Sequence, residues 1–326
     1  MSQTASPRAA VFAILIAAVL FGTTGTAQAL GPTETTPLGV GATRLIVGGL
    51  ALLLVLPLVR VNRGEAIGLW RTRSGLVAGA CTALYQVSFF AGVERAGVAI
   101  GTLVAIGSGP VFAGILAAWL LGDRPNRAWI AATALCLVGL ALLAAGGAGP
   151  STADPLGILL ALVAGLGYAA YTVLAKRQLG AGHAPSAVVA AAFGLGGLIL
   201  IPALATQPTA WLALPDGIAL ALYLGLVTTT LAYLLFGRGL AVLDAGPVTT
   251  LVLAEPVVAT LLGTLVLHEG LSVLAGVGAA LIIAGIFVQG FLTSIKPAPA
   301  PVPLSRRPDR PRRSASNGWR SSRWRL

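Results

Sequence analysis

The chain has 326 residues, of which 56% are hydrophobic and only 10% are charged. An ordinary globular domain has about 25% charged residues, so a soluble protein of this size could not cover its surface. Apolar runs without Asp, Glu, Lys or Arg recur along the chain, and each approaches the roughly 20 residues needed to cross a bilayer. The composition predicts a polytopic membrane protein and excludes soluble enzymes, nucleic-acid-binding modules and disulfide scaffolds.

These apolar runs predict an all-α membrane protein with ten transmembrane helices. In chain order they lie at 9–29, 38–59, 74–93, 97–121, 128–146, 155–175, 185–205, 216–236, 246–267 and 272–293. Residues 1–8 form a short tail before the first helix. The connections are short and often contain Gly, Pro or charged residues.

The net charge of +11 is concentrated after the last predicted helix. From Lys296 to the end there are nine basic residues and one acid, so this tail supplies +8. Residues 296–326 are rich in Pro, Ser and Arg and are predicted to be disordered. They are expected to anchor the topology on the cytoplasmic side, with contact to anionic lipid headgroups as a further role.

The positions of Lys and Arg predict the orientation of the helices. With a cytoplasmic N-terminus, 19 of the 21 basic residues fall in cytoplasmic segments. Arg95 lies outside, and Arg44 lies within the second helix. Both termini are therefore expected in the cytoplasm, with the chain in the cytoplasmic (inner) membrane. The alternative is that the first helix is a cleaved signal peptide, but that helix has a partner in the internal repeat.

A shift of 145 or 146 residues aligns the two halves of the chain. Matching residues are Pro57 and Pro202, Gly79 and Gly225, Pro110 and Pro256, Asp123 and Glu269, and Gly139 and Gly285. Five-helix units are thus expected at 9–146 and 155–293. Because five is odd, the second unit must be inverted in the membrane, and such 5 + 5 inverted repeats are typical of alternating-access transporters.

Several motifs carry a resemblance to a known family. They are Gly109-Pro110-Val111-Phe112, Leu121-Gly122-Asp123-Arg124, Leu253-Ala254-Glu255-Pro256-Val257, Leu267-His268-Glu269-Gly270 and Thr43-Arg44-Leu45. Together with the ten-helix plan, they resemble the EamA family of the drug/metabolite transporter superfamily over residues 9–293. The resemblance implies a permease or efflux transporter for amino acids, drugs or other small metabolites.

Glu255 is the foremost candidate for coupling. It lies near the centre of the ninth helix, where an ionised carboxylate is costly unless it is paired or hydrated. Pro256 lacks an N–H and is predicted to bend this helix, as Pro110 is predicted to bend the fourth. The counterpart of Glu255 is Gly109, so only one half carries the acid. Glu255 is predicted to couple proton movement to solute exchange, and the alternative is a role in capping or packing a broken helix.

Other polar and aromatic residues are candidates for contacting the solute. Arg44 could hold a substrate carboxylate or phosphate or neutralise Glu255, and its alternative role is an interfacial anchor. The remaining candidates are Tyr85 and Gln86 in the third helix, Tyr168 and Tyr171 in the sixth, and Thr229 in the eighth. For the hydroxyl groups the alternative is packing, since Ser and Thr often bond to their own helix. The tryptophans near helix ends are predicted interface anchors, namely Trp119, Trp129 and Trp211.

Taken together, these patterns predict a secondary transporter and not an enzyme. No phosphate-binding loop, metal-ligand cluster or catalytic constellation is present, so no cofactor or metal is expected. The expected partners are a small-molecule solute and the lipid bilayer, without nucleic acid. The alternative is a non-transporting scaffold or lipid-binding protein with the same fold. The sequence leaves the substrate, the direction of transport, the coupling ion and the oligomeric state open.

Overall fold

The computed structural model describes residues 6–147 and 154–294 and contains ten apolar spans long enough to cross a membrane. Spans 1–5 are Pro7–Ala29, Pro37–Val55, Arg73–Ala96, Val98–Leu120 and Arg127–Gly147. Spans 6–10 are Pro155–Gly180, Pro185–Ala205, Pro215–Val242, Ala245–Val266 and Val273–Ser294. A short helix, Arg63–Leu69, joins spans 2 and 3, and a 3₁₀ turn, Ala210–Ala213, joins spans 7 and 8. No strand occurs in these two ranges, and the predicted all-α fold with ten spans is confirmed.

Capping residues explain where several spans begin. Ser6, Thr36, Thr72 and Asp154 each accept a hydrogen bond from a backbone N–H in the first turn that follows. Such caps satisfy donors that the helix itself cannot pair. Between spans 3 and 4, Gly97 has a φ of 82°, which a residue without Cβ adopts readily. Span 4 can therefore start immediately after span 3 ends.

The main contacts between spans in one half have equivalents between the corresponding spans of the other half. Span 3 packs along span 6, and their repeat counterparts, spans 8 and 1, pack together as well. Span 4 packs on span 6 as span 9 packs on span 1. Spans 2 and 7, and spans 5 and 10, each pack on their own counterpart. This symmetry supports the predicted repeat.

Span 8 departs from a regular α-helix. It begins as an α-helix at Pro215–Leu222, continues as a π-helix at Tyr223–Leu231 and returns to an α-helix at Ala232–Val242. The span also extends beyond the predicted end at residue 236. π-Helical segments are rare and often occur at functional sites.

Span 9 is interrupted, whereas its counterpart, span 4, is not. Span 9 consists of two helices, Ala245–Leu251 and Ala254–Val266, and Pro256 lies in the first turn of the second. Span 4 is one helix that continues through Pro110. Bends were predicted at both prolines. The helix is interrupted only next to Pro256, in the second half.

The predicted interface tryptophans differ in their surroundings. Trp119 is 79% exposed on the outer surface, whereas Trp211 is only 2% exposed. Trp211 packs in a small apolar cluster with Val40 and Leu224. The prediction was therefore wrong for Trp211, because the chain between spans 7 and 8 folds back onto span 2. The predicted basic tail at 296–326 lies outside the described residues.

Candidate functional site

The break in span 9 places Glu255 at the start of a helix inside the bundle. The Glu255 amide donates to the Val252 carbonyl at 2.9 Å, which is a tighter turn than an α-helix makes. Pro256 follows and has no N–H with which to restore the α-helical pattern. A carboxylate in the first turn of a helix is stabilised by the positive end of the helix dipole. The acid thus lies at a helix N-terminus within a membrane span.

Span 1 packs directly against this break. Gly22 faces Glu255 and Val258, and a Cβ atom at position 22 would lie 2.8 Å from the Glu255 carbonyl oxygen. Small residues permit this kind of close approach between membrane helices. The path of span 1 therefore helps to fix the backbone that carries the acid.

Arg44 on span 2 lies near Glu255 inside the bundle. Both side chains are half-buried, and their charges are close enough to interact. Within the described parts of the chain, neither side chain forms an ion pair or a hydrogen bond. Charges inside a membrane protein usually pair or face a solvated cavity. Two opposite charges that do not pair with each other can instead receive a ligand that carries both.

Tyr85 and Tyr168 form an aromatic wall beside these charges. Their ring centroids are 5.8 Å apart, and both rings are within electrostatic range of Glu255. Tyr168 also packs on Gly109 of span 4, where a Cβ atom would lie 3.3 Å from the ring. Gly109 is the repeat counterpart of Glu255. The first half therefore has an aromatic ring packed at the position where the second half has its acid.

Three other predicted site residues have packing roles in the structure. Gln86 is buried, and its amide donates to the Gly41 carbonyl of span 2 at 3.1 Å. The Thr229 hydroxyl donates to the Leu224 carbonyl at 2.8 Å, within the π-helical segment. Tyr171 is only 2% exposed and stacks near Phe236. For these three, the geometry favours the packing alternative over contact with a solute.

An aromatic cluster next to the charges was not predicted. Tyr233 of span 8 lies 3.9 Å from Phe193, 4.9 Å from Phe21 and 5.6 Å from Phe236, measured between ring centroids. The charge of Arg44 is also close enough to Tyr233 to interact with its side chain. The three-residue spacing of Tyr233 and Phe236 would have placed them on one helix face, but the sequence does not show which span that face meets.

The arrangement can bind a small charged solute and can carry a proton. It offers a cation at Arg44, an acid at Glu255 and the rings of Tyr85 and Tyr168. Among the described residues, no group of three or more His, Cys, Asp or Glu side chains could hold a metal ion. In general, a carboxylate can bind a cation when it is ionised and holds a proton when it is neutral.

Comparisons with known proteins agree with this architecture. The EamA-like transporter family model matches residues 8–145 and 155–290. The uncharacterized transporter YwfM of Bacillus subtilis (strain 168) is 40% identical over 275 residues, which is 84% of this chain and 91% of that protein. A probable terminal-alkyne amino-acid exporter of Streptantibioticus cattleyicolor is 30% identical over 285 residues, covering 86% of this chain and 92% of that protein. One crystal structure matches 87% of this chain and 97% of its own with a TM-score of 0.74, at 22% identity, which shows a shared fold. The chain is a multi-pass membrane protein and belongs to the EamA-like transporter family.

Proposed function

We propose that this protein is a secondary exporter of zwitterionic, amino-acid-like metabolites that works by alternating access in the cytoplasmic membrane. The observation that carries the proposal is the presence of Arg44 and Glu255 inside the bundle without an ion pair between them. The aromatic wall next to them supplies an apolar surface for the rest of the solute. The symmetric packing of the spans supports motion of one half against the other.

In this proposal each charge of the solute has its own partner. The solute carboxylate binds the Arg44 guanidinium, whose planar donors suit a bidentate contact. The solute ammonium group binds the Glu255 carboxylate, and the solute side chain packs on Tyr85 and Tyr168. A solute that lacks either charge leaves one protein charge without a partner, which is costly in a membrane interior. Selectivity for zwitterions follows from this cost.

The substrate class has support from a relative. The Streptantibioticus cattleyicolor protein is named as an amino-acid exporter. An amino acid carries both charges that the site requires. The geometry of this chain and the name of that relative therefore both support an amino-acid-like solute.

The proposed coupling ion is the proton. When the solute leaves, the Glu255 carboxylate loses its ammonium partner, and protonation removes the cost of the isolated charge. Protonation from the external side and release to the cytoplasm then accompany solute export. Transport should therefore depend on the pH difference across the membrane.

The test compares solutes that differ only in charge. Proteoliposomes with the full-length protein are offered alanine, ethylamine and propionate, and then phenylalanine, phenethylamine and 3-phenylpropionate, each isotopically labelled. We expect transport of the two amino acids and at least about tenfold less of the singly charged analogues, since one unpaired charge corresponds to more than about 1.4 kcal/mol. Equal transport of all three members of a set would overturn the zwitterion assignment.

Variants connect this selectivity to the two charges. Arg44→Gln should abolish amino-acid transport, and Glu255→Gln should abolish it or remove its dependence on pH. The matched controls are Arg238→Gln and Glu94→Gln, because both of these side chains are exposed. The controls should transport normally. Unchanged transport and unchanged pH dependence in Glu255→Gln would leave Glu255 as a packing residue.

A further inference from the structure

A groove lies on the outer surface of the bundle between spans 4 and 5. Its volume is about 680 Å³, and its lining is almost entirely apolar. Ile115 and Trp119 of span 4 and Ile130 of span 5 line it and are 60%, 79% and 51% exposed. Because these residues belong to membrane spans, the groove opens toward the hydrocarbon of the bilayer. Such a lining suits an apolar chain.

One end of the groove reaches a charged rim. Pro125 lines both the groove and a smaller adjoining cavity that also contains Arg124 and two acids, Asp123 and Asp244. Arg124 and Arg127 are exposed, and the ion pairs found within residues 6–147 and 154–294 do not include them. Both acids interact with the charge of Lys176 on span 6, Asp244 more strongly than Asp123. Arg124 therefore lies beside the end of the apolar groove, and Arg127 begins span 5, three residues before Ile130 of the groove wall.

The inner wall of the groove is connected to span 9. Trp129 lies between Gly114 and Gly246, at positions where a Cβ atom would crowd its ring. Its indole N–H donates to the Thr250 hydroxyl at 3.1 Å, and Thr250 is 2.8 Å from the Thr133 hydroxyl. Thr250 belongs to Ala245–Leu251, the helix that precedes the break at Glu255. A ligand in the groove would therefore press on a side chain that holds this helix.

We propose that the groove binds an anionic phospholipid. One acyl chain lies along Ile115, Trp119 and Ile130, and the phosphate group is held by Arg124 and Arg127. Basic residues at the membrane surface attract anionic lipids, and an adjoining apolar groove adds specificity for a molecule with a chain. The bound lipid supports Trp129 and thereby the first helix of span 9. This site is separate from the solute site and does not depend on the proposed substrate.

Binding can be measured on the full-length protein in detergent by native mass spectrometry. Phosphatidylglycerol and phosphatidylcholine with identical acyl chains are titrated in parallel. We expect phosphatidylglycerol to bind at least about tenfold more tightly to the wild type, because each nearby basic residue adds to the attraction. The double variant R124Q/R127Q should lose this preference. The matched control R71Q/R73Q removes the same charge from exposed residues at another connection and should keep it.

A second pair of variants tests the groove itself. Ala118→Trp fills the groove and should weaken binding of both lipids, whereas Ala141→Trp introduces the same ring at an exposed position outside it. Absence of a preference for phosphatidylglycerol in the wild type would overturn the proposal. Equal loss in R124Q/R127Q and R71Q/R73Q would also overturn it, because attraction would then follow net charge alone. Unchanged binding in Ala118→Trp would reject the groove as the site of the acyl chain.

Discussion

Gly22 and Gly25 lie one turn apart on span 1 but have different surroundings. A Cβ atom at position 22 would lie 2.7 Å from Val258 and 2.8 Å from the Glu255 carbonyl oxygen, whereas nothing lies within 4 Å of one at position 25. Only the first glycine is therefore required for helix packing. The sequence shows both as glycines in a polar stretch and does not distinguish them.

Gly22→Ala should destabilise the protein, while Gly25→Ala should not. Overpacking a close contact typically costs about 1–3 kcal/mol, whereas a methyl group added at position 25 would meet open space. Thermal unfolding in detergent measures the difference between the two variants. Equal melting temperatures would show that span 1 can move away from the break at little cost.

Two neighbouring threonines on span 9 also differ in their contacts. Thr249 and Thr250 are both buried and both bond to carbonyls of their own helix. Thr250 also bonds to span 5, through Trp129 and Thr133. The neighbouring positions thus differ in what they hold together.

Thr250→Val should lower the free energy of unfolding by about 1 kcal/mol, which is typical of hydrogen bonds between membrane helices. Thr249→Val is the matched control and should be nearly neutral. Denaturant titration of both variants against the wild type gives the comparison. A loss of the same size in Thr249→Val would show that the bonds between spans contribute nothing measurable.

At the scale of single elements, the two repeat-equivalent prolines have different effects. Span 4 continues as a helix through Pro110, whereas span 9 is interrupted before Pro256. Proline alone therefore does not determine the break. In span 9 the break coincides with a tight turn, in which the Glu255 amide bonds to the Val252 carbonyl, and with the close packing of Gly22 on the Glu255 carbonyl.

Pro256→Ala should make span 9 more regular and reduce transport. Alanine supplies an N–H that the Val252 carbonyl can accept in an α-helical turn, so the Glu255 side chain would be displaced. Hydrogen exchange should show slower exchange of the amides at 252–255, and alanine transport should fall several-fold. Pro110→Ala is the control, because span 4 is already continuous there. Unchanged exchange in Pro256→Ala would place the cause of the break elsewhere.

At the scale of the whole molecule, charge placement and packing point to one topology. Arg95, the basic residue that the predicted topology places outside, forms an ion pair with Asp154 at 3.1 Å. The pair connects the end of span 3 with the start of span 6. Arg95 is the exception in the basic-residue pattern, and the charge of Asp154 offsets it. Because five is an odd number of spans, the predicted topology inverts the second half, and the contacts between spans have the exchange symmetry of such a repeat.

Reporter fusions test this topology directly. A fusion at residue 300 should report a cytoplasmic position, and one within residues 149–154 should report an external position. The expected result follows from the placement of 19 of the 21 basic residues. The opposite pair of signals would reject both the orientation and the inverted repeat.

The number of spans, their approximate bounds and the family were predictable from the sequence. These properties depend on residues close together in the chain, namely the length of apolar runs, the motifs and the charges that bound them. The tertiary structure decided which polar groups are satisfied. It pairs Gln86 with Gly41, and it forms no ion pair between Arg44 and Glu255. It also buries Tyr171 and Trp211. These outcomes depend on contacts between residues far apart in the chain, and neither hydropathy nor spacing along one helix specifies which side chains meet there.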